Sequence, residues 1–533
     1  MKQLCGIFDL QNGLYSDESK DIYKYANEES EVYLYGKIHW GQNNIDGKLL
    51  WDSYKRYGNN LTEQIAGIYI LIIYDKRRKA LQVFQDRTTS SLTLYYTTFD
   101  SKVFLGTSLK WLLKESGMDR KINDAVLEDF LVNGFIYGKE TLIKNVYKIG
   151  AFTSILLQKD KIEEVAVKYF ADNLSKGEAL DKWEGALSNA ISHSFADKEE
   201  INLPLSSGYD SNYIAYIASK NANKAIHAYS VGGKFGKNEL PMVEENVSAY
   251  RSMTLSTTLT DELTLLNLPD IVWRLEGAVY EVGIFLQYEL AKLVYQSGKK
   301  SLICGECADQ VMNHHYLDDE RIFVPSKKDM PIYYEFSEYP YIFGSYLILK
   351  KNGIMSNSFG IETEYPYLDE EFVSIAHSLK DINQKDKRIH IAICREQLPT
   401  AVIKNIAKTG GATDFHSLFA CKADLDRFVA NIEKCEFFNK YMSLIKKISY
   451  VEREKQTGIK RIKTKIRNVV LDVCHINEAD RKQTAYYYEE IKLKEYMCCA
   501  YLMLFDKLFI SGEYDDKLDC EGIDVSLTEL MHH

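Results

Sequence analysis

The chain has 533 residues, 46% hydrophobic and 27% charged, which is too long for one compact core and predicts a soluble protein of several domains. With 66 Lys and Arg against 76 Asp and Glu the formal charge is −10, which excludes a generally basic nucleic-acid coat. The longest apolar run, Ile65–Tyr74, is about half as long as a membrane-spanning helix and predicts a buried strand, so no membrane partner is expected.

The amino terminus, Met1-Lys2-Gln3-Leu4-Cys5, lacks the basic and apolar segments of a secretory signal and predicts a cytoplasmic protein. Ten scattered cysteines suit reduced thiols. From Cys5 to about Leu113 short apolar strands alternate with turns: Glu31–Gly36, Ile65–Tyr74, Ala80–Phe84, Thr93–Tyr96 and Val103–Leu105. A connector follows at 116–175, with an amphipathic helix over Asn123–Asn133 and strands at Thr153–Leu157 and Glu164–Tyr169. From 176 strand patterns alternate with helical ones (Ile201–Leu205, Ala225–Val231 and Ser301–Cys304 as strands), which predicts a parallel sheet with helices on both faces. The tail beyond about 422 is helical in pattern. Its basic run Lys460–Arg467 reads as a solvated face or as a contact for a peptide or partner.

The sharpest local signal is Leu203-Pro-Leu205-Ser206-Ser207-Gly208-Tyr-Asp210-Ser211-Asn212, a strand end running into a helix start. Backbone N–H groups at such a start face an anion, Gly208 permits close approach, and Ser206 and Ser211 can donate hydroxyl hydrogen bonds. An aspartate among phosphates needs an intervening cation, so Asp210 reads as a magnesium ligand. A serine-rich turn capping a helix would use the same residues. A second strand-to-turn motif is Ser301-Leu-Ile-Cys304-Gly305-Glu306-Cys307-Ala-Asp309-Gln310; Cys304 and Cys307 alone would also suit a redox or metal pair.

The first loop resembles the SGGxDS pyrophosphate loop of the ATP pyrophosphatases, and the second resembles the SGEGxDE loop of asparagine synthetase. Three more segments match that family in order: His227–Gly232 is similar to its HSFxVG strand, Gly360–Asp369 to its GxExRxPFLD segment, with Glu364 where arginine is usual, and Asn405–Gly411 to its lysine segment. The resemblance implies that Leu205, Ser206, Ser207, Gly208, Asp210, Ser211, Ser230, Val231, Gly232, Gly305 and Glu306 bind ATP, that Asp309 joins Asp210 on Mg2+, and that Lys408 holds the α-phosphate. It further implies a tyrosine–glutamate pair to deprotonate an attacking amine, with Tyr316, Glu320, Tyr333 and Glu335 as candidates and Glu362 or Glu364 as partner. His314 and His315 are read as incidental.

The first domain, 1–115, resembles the class II glutamine amidotransferase domain through Cys5-Gly-Ile-Phe8, Gln64–Asp75 and Gln85-Asp-Arg87. The fold class expected is α/β: an Ntn-type αββα sandwich, then over 176–533 a parallel-sheet ATP-pyrophosphatase (adenine nucleotide α-hydrolase-like) domain with a helical C-terminal region. In that family a chain-terminal cysteine is the nucleophile and its α-amine the base. Here four residues precede Cys5, the RHRGPD loop is absent, and NGE is reduced to Tyr35-Gly36-Lys37, so Cys5 reads as a small buried residue. An ATP site without an ammonia source implies an AMP-forming carbon–nitrogen ligase that adenylates a carboxylate and closes an amide with an amine of the same substrate, a macrolactam in a lasso-type peptide. The alternatives are a glutamine-dependent asparagine synthetase, a β-lactam synthetase-like cyclase and a non-catalytic scaffold. The expected partners are a peptide or small-molecule carboxylate/amine substrate, together with a peptidase and a leader-peptide-binding protein.

Overall fold

The computed structural model describes residues 2–39, 46–89, 91–150, 153–166, 174–221, 223–235, 238–312, 344–380, 382, 387–406, 415–435, 438–444 and 493–527. Two antiparallel sheets form the amino-terminal part. The first has the order β2-β1-β8-β7-β9, made of β1 (Cys5–Asp9), β2 (Leu14–Asp17), β7 (Tyr95–Phe99), β8 (Lys102–Gly106) and β9 (Val146–Lys148). The second runs β11-β10-β6-β5-β4-β3, from β3 (Tyr23–Ala26), β4 (Ser30–His39), β5 (Ala66–Asp75), β6 (Ala80–Gln85), β10 (Thr153–Gln158) and β11 (Lys161–Ala166).

Period-two patterning sorts these strands into layers. In β5, Ile70 and Ile72 join Phe8, Leu81, Val83 and Leu105 between the two sheets. Their neighbours Leu71 and Ile73 join Leu50, Trp51 and Phe84 beneath the helix Gly47–Tyr57. The helix Leu109–Ser116 covers the other sheet, and its Leu112 and Leu113 belong to the core that continues into the rest of the chain. The sandwich is therefore helix, sheet, sheet, helix, as the fold class expects.

The stretch 116–175 is not a connector. Its strands β9, β10 and β11 complete both sheets, β10 pairing with β6 from Ile155↔Val83 to Leu157↔Leu81. Ile155 and Leu157 give β10 a buried face, and β10 pairs on both sides, with β6 and with the edge strand β11.

Beyond residue 176 the sheet is parallel: β12 (Glu200–Pro204), β13 (Ala225–Gly233) and β14 (Met253–Thr260) in that order, with β15 (Ser301–Ile303) and β16 (Glu362–Glu364) paired beside β12. Long helices, including Lys176–Ala196 and Gly283–Gln296, pack around it through Trp183, Ile191, Phe285 and Val294. The two parts are tied at several points. Tyr280 N donates to Gly134 O at 2.6 Å, Lys350 Nζ donates to Leu92 O and Thr93 Oγ1 at 2.8 Å each, and Arg87 Nη2 lies 2.8 Å from Glu370 Oε2. Gly134, at φ +77, is required, since a Cβ there would lie 2.0 Å from the Tyr280 carbonyl. Among the described residues no helix is long and apolar enough to cross a membrane.

The Arg87 side chain is only 9% exposed, so its charge depends on Glu370, whose carboxyl burial pushes up to about 7 despite the arginine. Glu370→Ala removes a buried carboxylate from the Arg87 guanidinium and is expected to cost about 2–4 kcal/mol, read as a lower urea midpoint.

Candidate functional site

β12 delivers the chain to the loop before the helix Tyr209–Asn221, and the loop's own side chains close it. Leu205 N donates to Tyr229 O at 2.8 Å, fixing the entry to β13. Ser206 N donates to Ser211 Oγ at 3.1 Å, the two hydroxyls are 3.0 Å apart, and Gly208 N donates to Ser206 Oγ at 3.2 Å. Asn212 Nδ2 bonds the carbonyls of Ser206 and Gly208 from below. Ser207, where the family loop has glycine, donates its N–H and hydroxyl to the buried Glu239 at 3.1 and 2.7 Å, which anchors the loop from the protein side. Ser206 and Ser211 stay on the more open side, at the helix end whose first N–H groups lack intrahelical partners.

Ser230, Val231 and Gly232 end β13 beside this loop; a Cβ on Gly232 would lie 2.3 Å from Asn238 Oδ1, so only glycine fits. The second loop starts where Cys304 N donates to Glu364 O at 2.8 Å. A Cβ on Gly305 would stand 3.4 Å from Ser211 N, so the two loops touch. Glu306 is half-buried, desolvation raises its carboxyl, and its Oε2 has no hydrogen-bond partner among the described residues. Burial also pushes the thiols of Cys304 and Cys307 well up, which leaves them protonated rather than poised for redox or metal chemistry. Cys307 sits at φ +66, a strained conformation that places Asp309 in the first turn of the helix Ala308–Met312.

Asp210 and Asp309 meet at one cation from a third segment. Lys387 Nζ hydrogen-bonds Asp210 and lies 2.9 Å from Asp309 Oδ1. His390 Nε2 is 3.2 Å from Asp210 Oδ1, and Tyr367 Oη donates to the Asp210 carbonyl at 3.0 Å. Burial raises the Asp210 carboxyl, yet Lys387 and His390 pull it well below the usual range. Lys387 is desolvated too, but the two carboxylates lift it above its ordinary value; burial keeps His390 low. Lys387 has φ +51 at the start of the helix Arg388–Gln397, a second strained residue at this point. Two carboxylates that share one ammonium present hard oxygen ligands suited to Mg2+ with phosphate oxygens completing its shell. Among the described residues no group of three or more His, Cys, Asp or Glu is placed to hold a metal ion.

Neither Lys387, His390 nor Glu239 was expected from the sequence. The only available signal was the i,i+4 spacing of His390 and Cys394, which marks the buried face of a helix without assigning chemistry. Lys408, Tyr316, Glu320, Tyr333, Glu335, His314, His315 and the run Lys460–Arg467 lie outside the described residues. Glu362 and Glu364 do not gather with Asp210 and Asp309. Alternation along β16 turns Thr363 inward and sends both glutamates to a cavity of about 850 Å3 between the two parts, where Glu362 pairs with Lys2 and Glu364 lies 3.4 Å from Lys198. None of Ser206, Asp210, Ser211 or Asp309 lines it.

Cys5 is fully buried in β1, opposite Gly106. Its backbone N is a peptide nitrogen donating to Ser19 Oγ at 2.9 Å, while Leu4 exchanges bonds with Thr107 and Gln3 bridges to Lys20. Burial, aided by Glu18 and Asp17, pushes the thiol up to about 12. In this structure the Cys5 nitrogen is an amide rather than a free amine, and the thiol is held in its protonated form.

Residues 21–170 match a family model described as a glutamine amidotransferase domain, and residues 182–340 match one described as asparagine synthase. The chain is 24% identical over 345 residues to the glutamine-hydrolysing asparagine synthetase 1 of Bacillus subtilis, covering 61% of this chain and 53% of that one. It is 21% identical to asparagine synthetase 2 of the same organism, over 42% of this chain and 33% of the relative. It is also 21% identical to the asparagine synthetase of Sandersonia aurantiaca, over 67% and 63%. The chain thus spans about half the length of the curated relatives it matches.

Lys387→Met leaves two carboxylates facing each other, and a loss of about 2 kcal/mol in stability is expected. Magnesium chloride should then raise the melting temperature of the variant more than that of the wild type, because Mg2+ replaces the missing charge. Since the Asp210 carboxyl is depressed, its stabilising contribution is intact at neutral pH and is lost as acid takes the solution below about pH 4. An Asp210→Asn comparison across that range measures it.

Proposed function

The chain belongs to the asparagine synthetase family, and from that premise we propose that it is an ATP-dependent, AMP-forming carbon–nitrogen ligase. The observation that carries this reading is the meeting of Asp210, Asp309 and Lys387 beside a hydroxylated loop at a helix start. Ser206, Ser211 and the first N–H groups of the helix would take the departing pyrophosphate, and Lys387 would face its negative charge. Asp210 and Asp309 would hold Mg2+, which supplies charge neutralisation for that leaving group when bound. Tyr367 and His390 fix Asp210 in place, and Glu239 fixes the loop. A substrate carboxylate oxygen attacks the α-phosphorus and the bond to the β-phosphate oxygen breaks, giving acyl-adenylate and pyrophosphate. An amine then attacks the acyl carbon, gives up a proton and releases AMP.

The amine, in our reading, is the substrate's own. The burial of Cys5 within a β-ladder and its protonated thiol support an amide closure that draws no ammonia from glutamine. Its finest form is macrolactam formation in a lasso-type peptide, with a peptidase and a leader-binding protein supplying the peptide; a β-lactam-like closure is the small-molecule form of the same chemistry. Glutamine-dependent asparagine formation is the second reading, favoured by the activity for which the relatives are named.

Glutamate release from glutamine separates the two. With ATP and Mg2+ present the purified chain is expected to release none, and Cys5→Ala is expected to leave pyrophosphate formation unchanged. Glutamate release that disappears in Cys5→Ala favours the second reading. Asp309→Asn should lower carboxylate-dependent exchange of pyrophosphate into ATP by about 100-fold or more, and equal exchange in this variant removes the ligase reading altogether.

A further inference from the structure

The strand β14 (Met253–Thr260) ends the parallel sheet, and among the described residues no strand pairs with its outer side. Which backbone groups face outward follows from the ladder with β13. Lys234 N donates to Thr260 O at 3.0 Å, and in a parallel pair alternate residues turn both N–H and C=O toward the same neighbour. Thr254, Ser256, Thr258 and Thr260 therefore face β13. Met253, Leu255, Thr257 and Leu259 present their backbone groups at the open edge.

Edge strands of native proteins are guarded by a charged side chain, a proline or a bulge. The segment Met253-Thr-Leu-Ser-Thr-Thr-Leu-Thr260 has none of these: it carries no charge and no proline, and it stays in unbroken register with β13 from Ile226↔Met253 to Gly233↔Thr260. Thr254, Ser256, Thr257 and Leu259 are exposed, and just past the strand Leu263 is 61% exposed. Charge appears only at the two ends, with opposite sign. Arg251 stands exposed before the strand and pairs with no carboxylate among the described residues. Asp261 and Glu262 follow the strand and share one cation, Lys234, at 3.8 and 3.1 Å.

We propose that β14 is a dimer interface, at which two copies of the chain join their sheets edge to edge as antiparallel strands about a two-fold axis at Ser256. Such a contact needs a self-complementary patch, and the strand supplies one. In this register Leu255 meets Thr257 and Met253 meets Leu259, all of them residues with outward backbone groups, so each exchanges both of its hydrogen bonds with its opposite. The exposed side chain of Leu259 then covers Met253 of the other copy. Arg251 of one copy comes to the strand end that carries Asp261 and Glu262 in the other, and the two-fold axis repeats that pairing. An extended peptide without those end charges would leave Arg251 unpaired, so the occupant that the edge favours is a second copy. The contact depends on the strand and not on the reaction proposed for the ATP site.

Sedimentation of the full chain over a concentration series is expected to show a monomer–dimer equilibrium with a Kd of about 10 μM or tighter. Ser256→Lys sets two ammonium groups opposite each other at the axis and should weaken the dimer about tenfold or more, with circular dichroism and the melting temperature of the dilute monomer unchanged. Arg251→Glu should weaken it as well. The register has its own readout, because the Ser256 pair would have Cα atoms about 4.5 Å apart, within reach of a disulfide. Ser256→Cys, oxidised with copper phenanthroline, is expected to cross-link two chains above the wild-type background from the exposed Cys421 and Cys520, whereas Thr254→Cys, which faces Thr258, is not. A chain that stays monomeric at about 100 μM, a dimer unchanged in both Ser256→Lys and Arg251→Glu, or equal cross-linking of the two cysteine variants overturns the proposal.

Discussion

One ammonium group between two carboxylates organises the carboxyl-terminal part. Lys387, Asp210 and Asp309 come from three segments separated by long stretches of chain, and the ion pairs among them hold together a helix start, a turn after β15 and the approach to a later helix. Two carboxylates this close would repel, and one cation removes that cost only when the backbone delivers it accurately. The positive φ values at Cys307 and Lys387 are the local strain that accurate delivery requires. Tyr367 adds a bond from the 360–369 segment to the Asp210 carbonyl, so a fourth stretch of sequence serves the same point.

The amino-terminal sandwich has a different logic. The apolar alternation of β5 and β6 feeds one side of each strand to the space between the sheets and the other to the layer beneath the helix Gly47–Tyr57. At Cys5 the two residues before it continue the pairing, its nitrogen donates to the Ser19 hydroxyl and its side chain packs against Gly106.

Much of this was legible from residue patterns. Ala66–Asp75 and Ala80–Gln85 follow their apolar runs, and the parallel strands β12, β13 and β15 lie where strand and helix patterns alternate. The strand β14, Met253–Thr260, was not legible, because four threonines and one serine dilute the alternation of Met253, Leu255 and Leu259 and leave the strand half exposed. The placement of β9 to β11 was hidden for another reason: sequence reveals that a strand exists but not which sheet it joins. At the site, the serine loop and the two aspartates announce themselves through short local motifs. Lys387 and Glu239 do not, since each acts through tertiary approach to a motif distant in sequence.

The return of the chain through β9, β10 and β11 gives the two parts a shared fate. Residues past 145 supply an edge strand to one sheet and two strands to the other before the synthetase segment begins, and Leu112, Phe130 and Ile143 lie in one continuous core with Trp273 and Phe285. A module woven in this way has no seam at which a gene deletion could excise it. Removing the sandwich would open the core that it shares with the elements carrying the nucleotide loops.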